Sequence, residues 1–308
     1  MPLHVQLKIA GFVDPVTKFS SLRLCSKHFK NIVDKSRTHY PSIDMHVFCK
    51  SFFVSLIVDE THKKQICFRS DGNETSYRKQ SLIGKAVVEE RKEGDNYLAA
   101  LEHFAEVMSN PKISVGSFEA HFYTITHIQR FLIHCKSILR SYQNKFSVER
   151  FIITCPHRNT ISPMISMFKP GFLRTIVFKR SDKEGPLYLN QVVKLEQWKK
   201  AVELDASGVL TKDDLPYSHF ETLSLKLTHL SLRAVELIVQ NFLNNSNTRS
   251  TSIVCNTADN DAILAYLGQF EKVGNGYFIP IPGSGDSLEV CFNQEPSFMF
   301  TVKRIKGN

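Results

Sequence analysis

The sequence predicts an α/β protein: a short helical module over residues 1–40, a hairpin-and-loop region over 41–94, and a strand–helix domain over 95–308. Three observations carry that expectation. The opening residues place apolar side chains at helical spacing, a strand-like apolar-x-x-apolar-x-apolar phrase recurs along the chain, and helical patterns fall between its occurrences. At 308 residues and 42% hydrophobic content, there is enough apolar mass for a sizeable core.

The opening, "MPLHVQLKIAGFVDPVTKFSSLRLCSKHFKNIVD", lacks the form of a secretory leader: His4 and Lys8 interrupt its apolar residues and Asp14-Pro15 ends the run. No stretch reaches the roughly 18 apolar residues that a bilayer span requires. Read helically, Val5, Ile9, Phe12 and Val13 share one side, with Leu3, Leu7 and Ala10 beside them. That arc is wider than the stripe of about 100° on an ordinary surface helix. Asp14 is an N-cap candidate with Pro15 at the first helical position, where its missing N–H costs nothing. The second helix carries Phe19, Leu22, Cys25, Phe29 and Ile32 at helical spacing, with Leu24 on a neighbouring face. Two helices this short cannot bury so much apolar surface on each other, so they pack on the rest of the chain or await another protein.

Past a basic linker, "DKSRTHYPSID", the runs "HVFCKSFFVSLIV" and "KKQICFRS" predict a β-hairpin. "SDGNETSYRKQ" and "EERKEGDN" are turn-forming and charged and are expected to be loops. A helix is predicted from Asp95, with Leu98, Leu101, Phe104, Ala105 and Met108 on one face, ending at Asn110-Pro111. The phrase then occurs at Val115/Phe118/Ala120, Val148/Phe151/Ile153, Leu173/Ile176/Phe178, Ala201/Leu204/Ala206 and Phe220/Leu223/Leu225. "THIQRFLIHCKSILRSYQ" and "SLRAVELIVQNFLNNS" lie between or after them as helices. This spacing predicts parallel strands joined by crossovers and stacked in the manner of leucine-rich repeats.

Chemistry is not expected of this chain. Seven scattered cysteines (Cys25, Cys49, Cys67, Cys135, Cys155, Cys255, Cys291) form no CxxC pair, which points to a reducing compartment, cytoplasmic or nuclear, rather than a disulfide framework. His134, Cys135, Cys155 and His157 are the nearest approach to a metal cluster, yet their spacing and the apolar position of Cys135 favour a buried thiol. No nucleophile elbow, phosphate-binding lysine motif or dense Cys/His lattice is present; no catalytic residue, metal or cofactor is expected. "PIPGSGD" reads as a tight turn, and the sole tryptophan, Trp198, as a core anchor. The net charge of +9 would suit an acidic partner, but Lys and Arg are spread along the chain, so nucleic acid is not the expected partner.

Two segments resemble a known family. Pro2, Val5 and Ile9, then Asp14-Pro15 and "LRLCSKHF", resemble an F-box, the module that docks on a Skp-type adaptor in SCF ubiquitin ligases. Pro2 matches the leading Leu-Pro with Met1 in place of Leu, Ile9 the first-helix aliphatic, Leu24-Cys25 the Val-Cys, and Phe29 the usual Trp. Gly11 and the missing upstream residues depart from the pattern. "MFKPGFLRTIVFKR", "VVKLEQWKKAVELD" and "YFIPIPGSGDSLEV" are similar, in that order, to landmarks of the FTH (Fog-two homology) domain of nematode F-box proteins. The resemblance implies a helical F-box followed by a leucine-rich-repeat-like α/β domain. It implies a non-catalytic substrate-recognition subunit that binds a Skp-family protein, and through it a cullin and RING subunit, and that captures an unknown target protein. Adaptor docking would fall to Pro2, Val5, Ile9, Leu22, Leu24, Cys25 and Phe29; outward strand residues such as Thr175, Lys179, Thr222 and Lys226 are candidates for the target. The alternative is a protein- or RNA-binding module whose F-box has decayed and which has no ligase role.

Overall fold

A computed structural model describes residues 31–32, 37–47, 105, 108, 110–123, 129, 132–133, 145–154, 161–179, 187, 189–211, 217–294 and 297–307, and the backbone alone of 51–57, 63–71, 74–81 and 84–93. The chain divides into two compact units, Met1–Leu173 and Arg174–Asn308.

The first unit is built on a mixed sheet. Strands β1 (Thr38–Val47), β6 (Ile113–Phe122) and β7 (Val148–Thr154) pair in parallel. β1 also starts an antiparallel ribbon through β2 (Ser51–Ile57), β3 (Lys63–Asp71), β4 (Glu74–Ser81) and β5 (Gly84–Glu93). One short helix, α1 (Ile161–Ser166), follows β7. The hairpin expected from sequence is present as β2 and β3. The linker is not: Tyr40, Ile43 and Met45 of β1 are buried. The two charged stretches expected as loops are β4 and β5. Of the predicted helix from Asp95, Ala105 and Met108 are described, both helical and buried.

The second unit carries four parallel strands, β8 (Thr175–Lys179), β9 (Glu203–Thr211), β10 (Thr222–Leu230) and β11 (Ser250–Ala258). Beyond β11 the sheet turns antiparallel through β15 (Phe298–Ile305), β14 (Ser287–Asn293), β13 (Gly276–Pro280) and β12 (Glu271–Val273). Three helices accompany it: α2 (Glu196–Lys200), α3 (Leu232–Asn244) and α4 (Asn260–Leu267). Ser231 caps α3 by accepting the Ala234 N–H. At its other end the Arg304 guanidinium donates to the carbonyls of Phe242 and Asn245, which no intrahelical donor reaches.

The expected fold class is therefore corrected. Fifteen strands stand against four short helices with described ranges, and the leucine-rich-repeat-like alternation of strand and helix is not adopted. The connections explain why: α1 and α2 are six and five residues long, too short to cover a strand, and the antiparallel ribbon adds strands with only two residues between β3 and β4 and two between β4 and β5. No N-terminal helical F-box is evident among the described residues; only Asn31 and Ile32 are helical, and β1 begins at Thr38. Among the described residues no helix is long and apolar enough to cross a membrane.

The repeated phrase has a clear physical basis. All fifteen residues of its five occurrences are buried, none more than 4% exposed. Regular alternation buries every second residue, yet here two residues separate the first apolar position from the next. In the second unit the carbonyls of Arg174, Val202 and Glu221 each accept two successive N–H groups, from residues 202/203, 221/222 and 249/250. Such a doubled acceptor is how a bulge admits one extra residue. Stacked on neighbouring strands, it shifts the alternation by one at the same level each time. In the first unit the register skips Pro41 opposite Gly116 at that level. A Cβ on Gly116 would meet the Pro41 carbonyl oxygen at 2.7 Å, so only glycine allows this approach.

The turn residues behave as their chemistry requires. Gly171, after Lys169-Pro170, and Gly283, in "PIPGSGD", both have positive φ, and the latter segment links β13 to β14. Trp198 of α2 is fully buried, edge-on to Phe220 at 5.0 Å, with Tyr217 at 6.3 Å.

Candidate protein-binding face

One face of the second unit's sheet packs on helices. Leu223, Leu225 and Leu227 of β10 and Ile253 of β11 lie against Ala234 and Ile238 of α3. The alternate residues point the other way. Register places Thr175, Glu203, Thr222, Ser250, Lys303 and Glu289 in one row across β8, β9, β10, β11, β15 and β14. Asp205, Ser224, Ser252, Thr301 and Cys291 form the next. Lys226 of β10 and Lys179 of β8 are exposed. The face is polar because a sheet side left to water selects hydroxyls and charges.

The Thr175 hydroxyl donates to Glu203 at 2.9 Å. Asp205 accepts from both the backbone N–H and the hydroxyl of Ser207, at 3.0 and 2.6 Å, closing a local turn where the register of β9 against β10 shifts. At the strand ends His229 contacts Thr257 at 3.0 Å and Asp259 at 3.1 Å. This trio resembles a nucleophile relay, but the Thr257 hydroxyl also reaches the Thr228 carbonyl, and the second Asp259 oxygen accepts the Leu232 N–H at the start of α3. It fastens strand ends and a helix start.

The first unit presents a different polar face. Register sets His39 beside Ser114, Asp44 beside Glu119, and His46 beside His121. His39 bonds Ser114 at 2.9 Å, the rings of His46 and His121 stack at 4.3 Å, and His46 Nδ1 lies 2.9 Å from the Tyr123 hydroxyl. Reading histidines as possible metal ligands overlooked this ladder. Their alternate placement on strands was the available signal.

Of the target candidates, Thr175 and Thr222 are brought into register through Glu203, and Lys179 and Lys226 are exposed on their strands. The adaptor candidates Pro2, Val5, Ile9, Leu22, Leu24, Cys25 and Phe29 lie outside the described residues. So do His134, Cys135, Cys155 and His157; among the described residues no group of three metal-ligating side chains occurs. Cys255 is buried and its thiol is pushed up to about 11 by burial, far from the thiolate form a nucleophile needs.

The FTH domain family model matches residues 112–270, just over half of the chain. The chain belongs to the FTH domain family. No curated protein and no solved structure matches it. The FTH match takes in β6 through β11 with α1 to α4, and therefore Trp198, the stacked bulges and most of the hydroxyl face. Two of the three landmarks recognised in the sequence fall inside it, and "YFIPIPGSGDSLEV" begins beyond its end.

Proposed function

We propose that this FTH-family chain is the substrate-recognition adaptor of an SCF-type ubiquitin ligase. The N-terminal segment binds a Skp-family protein, and through it a cullin and RING subunit, by means of Pro2, Val5, Ile9, Leu22, Leu24, Cys25 and Phe29. The strand face holds a target protein near the charged ubiquitin-conjugating enzyme. The chain performs no chemistry itself, in the cytoplasm or nucleus; tethering raises the effective concentration of target lysines. The observation that supports target capture is a broad sheet face of small hydroxyls and isolated charges, most of it within the FTH match. The F-box-like residues support the adaptor half. Co-purification of the full chain with Skp-family proteins tests it: Ile9→Ala and Phe29→Ala should each lower adaptor affinity by about 2 kcal/mol, roughly 30-fold, as buried anchors do. Adaptor binding unchanged in both variants refutes the docking.

A second reading, an RNA-binding module without a ligase link, is favoured by one fact. Residues 1–173 hold 24 Lys and Arg against 15 Asp and Glu, whereas residues 174–308 hold 15 of each. The entire +9 thus belongs to the first unit. RNA affinity that falls steeply with salt, without adaptor binding, would select this reading.

A further inference from the structure

At the carboxyl ends of the first unit's parallel strands, the polar side of β1 and β6 carries a stack of rings. His46 and His121 lie face to face at 4.3 Å and 8°, and Tyr123 stacks on His46 at 6.3 Å with its hydroxyl 2.9 Å from Nδ1. Tyr123 is 53% exposed, so the stack reaches solvent. Register carries this level across the antiparallel ribbon: His46 is level with Phe53 of β2, Cys67 of β3, Arg78 of β4 and Glu89 of β5. Two residues along each strand, and so on the same side of the sheet, comes the row Ser51, Arg69, Ser76 and Arg91. The ribbon's part of the band places Arg69, Arg78 and Arg91 against the single carboxylate Glu89, in the unit that holds the whole +9. Six strands about 4.8 Å apart make the band roughly 24 Å long. Asp44 and Glu119 stand one level back on β1 and β6, so the basic strip runs across the strand ends and not down the strands.

We propose that this band binds single-stranded RNA, with His46, His121 and Tyr123 as the platform on which bases stack and Arg69, Arg78 and Arg91 at the positions that meet phosphates. This deepens the RNA-binding reading of the first unit and rests on it; adaptor docking by the N-terminal segment is a separate matter. Rings and charges together select the occupant. An acidic peptide would meet the arginines but brings no planar bases to the stack, and a duplex keeps its bases paired inside. A single strand offers a π-face to the rings and phosphates to the arginines at once. Ser51 and Ser76 alternate with Arg69 and Arg91, and a serine hydroxyl can pair with the 2′-hydroxyl that RNA has and DNA lacks.

The probe is a fluorescent single-stranded RNA of mixed sequence and about 12 nucleotides, followed by anisotropy with the full chain. Unlabelled single strand should compete, and duplex RNA of the same length, single-stranded DNA and polyglutamate should compete far less. Tyr123→Ala and His121→Ala should each weaken RNA binding at least about fivefold, whereas Tyr123→Phe, which keeps the ring, should stay within about twofold of wild type. Arg69→Ser with Arg91→Ser should lower the slope of log affinity against log salt by about 1.4, two phosphate contacts' worth. Tyr123 is exposed, so Tm of its variants should match wild type even if the arginine pair unfolds the ribbon. RNA binding that all the ring variants leave unchanged overturns this site and keeps the RNA reading. No binding to RNA at any salt overturns both. Equal competition by duplex or DNA overturns the proposal, and equal competition by polyglutamate gives the face to an acidic protein segment instead.

Discussion

The two units share one way of filling their cores and differ in what they show to water. Tyr40/Ile43/Met45, Val115/Phe118/Ala120 and Val148/Phe151/Ile153 are buried on parallel strands of the first unit, and Ala201/Leu204/Ala206, Phe220/Leu223/Leu225 and Thr248/Thr251/Ile253 on those of the second. The outward residues have gone separate ways. The first unit carries the whole net charge and a ladder of imidazoles and carboxylates; the second is neutral and dressed in hydroxyls. Inward positions are held by packing density, which penalises a change of even one methylene. Outward positions answer only to whatever binds there, so the neutral unit is the one fitted for contact that does not depend on charge.

The largest test of the shared core is Trp198→Ala. The ring is fully buried against Phe220 and Tyr217, so its removal should destabilise the second unit by about 3–5 kcal/mol. Urea unfolding followed by fluorescence of a tryptophan placed at Phe292 would register it; a loss below about 1 kcal/mol would mean that the ring is not the anchor. Gly116→Ala examines the bulge of the first unit. The new Cβ meets the Pro41 carbonyl at 2.7 Å, and the strain should cost about 1–3 kcal/mol. A melting temperature equal to wild type would show that the strands can separate there without penalty.

Much of this core was legible in the sequence because the phrase marks bulged strands directly. Five occurrences could be read and two could not. Pro41 within Tyr40/Ile43/Met45 makes the first look like a turn, and Thr248 and Thr251 occupy two buried slots with hydroxyls, which Thr248 tolerates because it accepts from Asn241. The sheet's antiparallel extensions were illegible for another reason. "ETSYRKQS" and "GKAVVEERKE" are rich in charge, and a strand paired by backbone alone needs no apolar alternation to form. The outward face was legible only as alternate positions, since no local rule states what a partner will select.

A smaller effect separates the units by pH. His219 is half-buried beside Trp198 and Phe220, its Nε2 bonded to the Trp198 carbonyl at 2.8 Å. Burial holds its ring neutral below the usual histidine range, and the bond to Trp198 opposes this only in part. The folded state resists the proton that the unfolded chain accepts near 6.5, so the stabilisation is complete above that pH and is lost as pH falls toward the depressed folded value. Melts between pH 7.5 and 5 should show this loss, and His219→Gln, which keeps a donor for the carbonyl, should flatten it. An unchanged slope in the variant would assign the loss to other groups.

The smallest expected effect on folding bears most on function. Thr222→Lys and Lys226→Glu alter the hydroxyl face of β10 without touching a buried residue, so each should shift stability by no more than about 0.5 kcal/mol. Their effect should instead appear in target capture, where a charge imposed on a desolvated contact leaves it unpaired and weakens binding by about tenfold or more. The same exchange at Ser117 of the first unit is the matched control, since it too changes a polar outward strand position. Loss of target from the β10 variants alone would place recognition on the neutral unit. Loss from Ser117→Lys alone would move it to the basic one, where charge rather than shape would govern the partner.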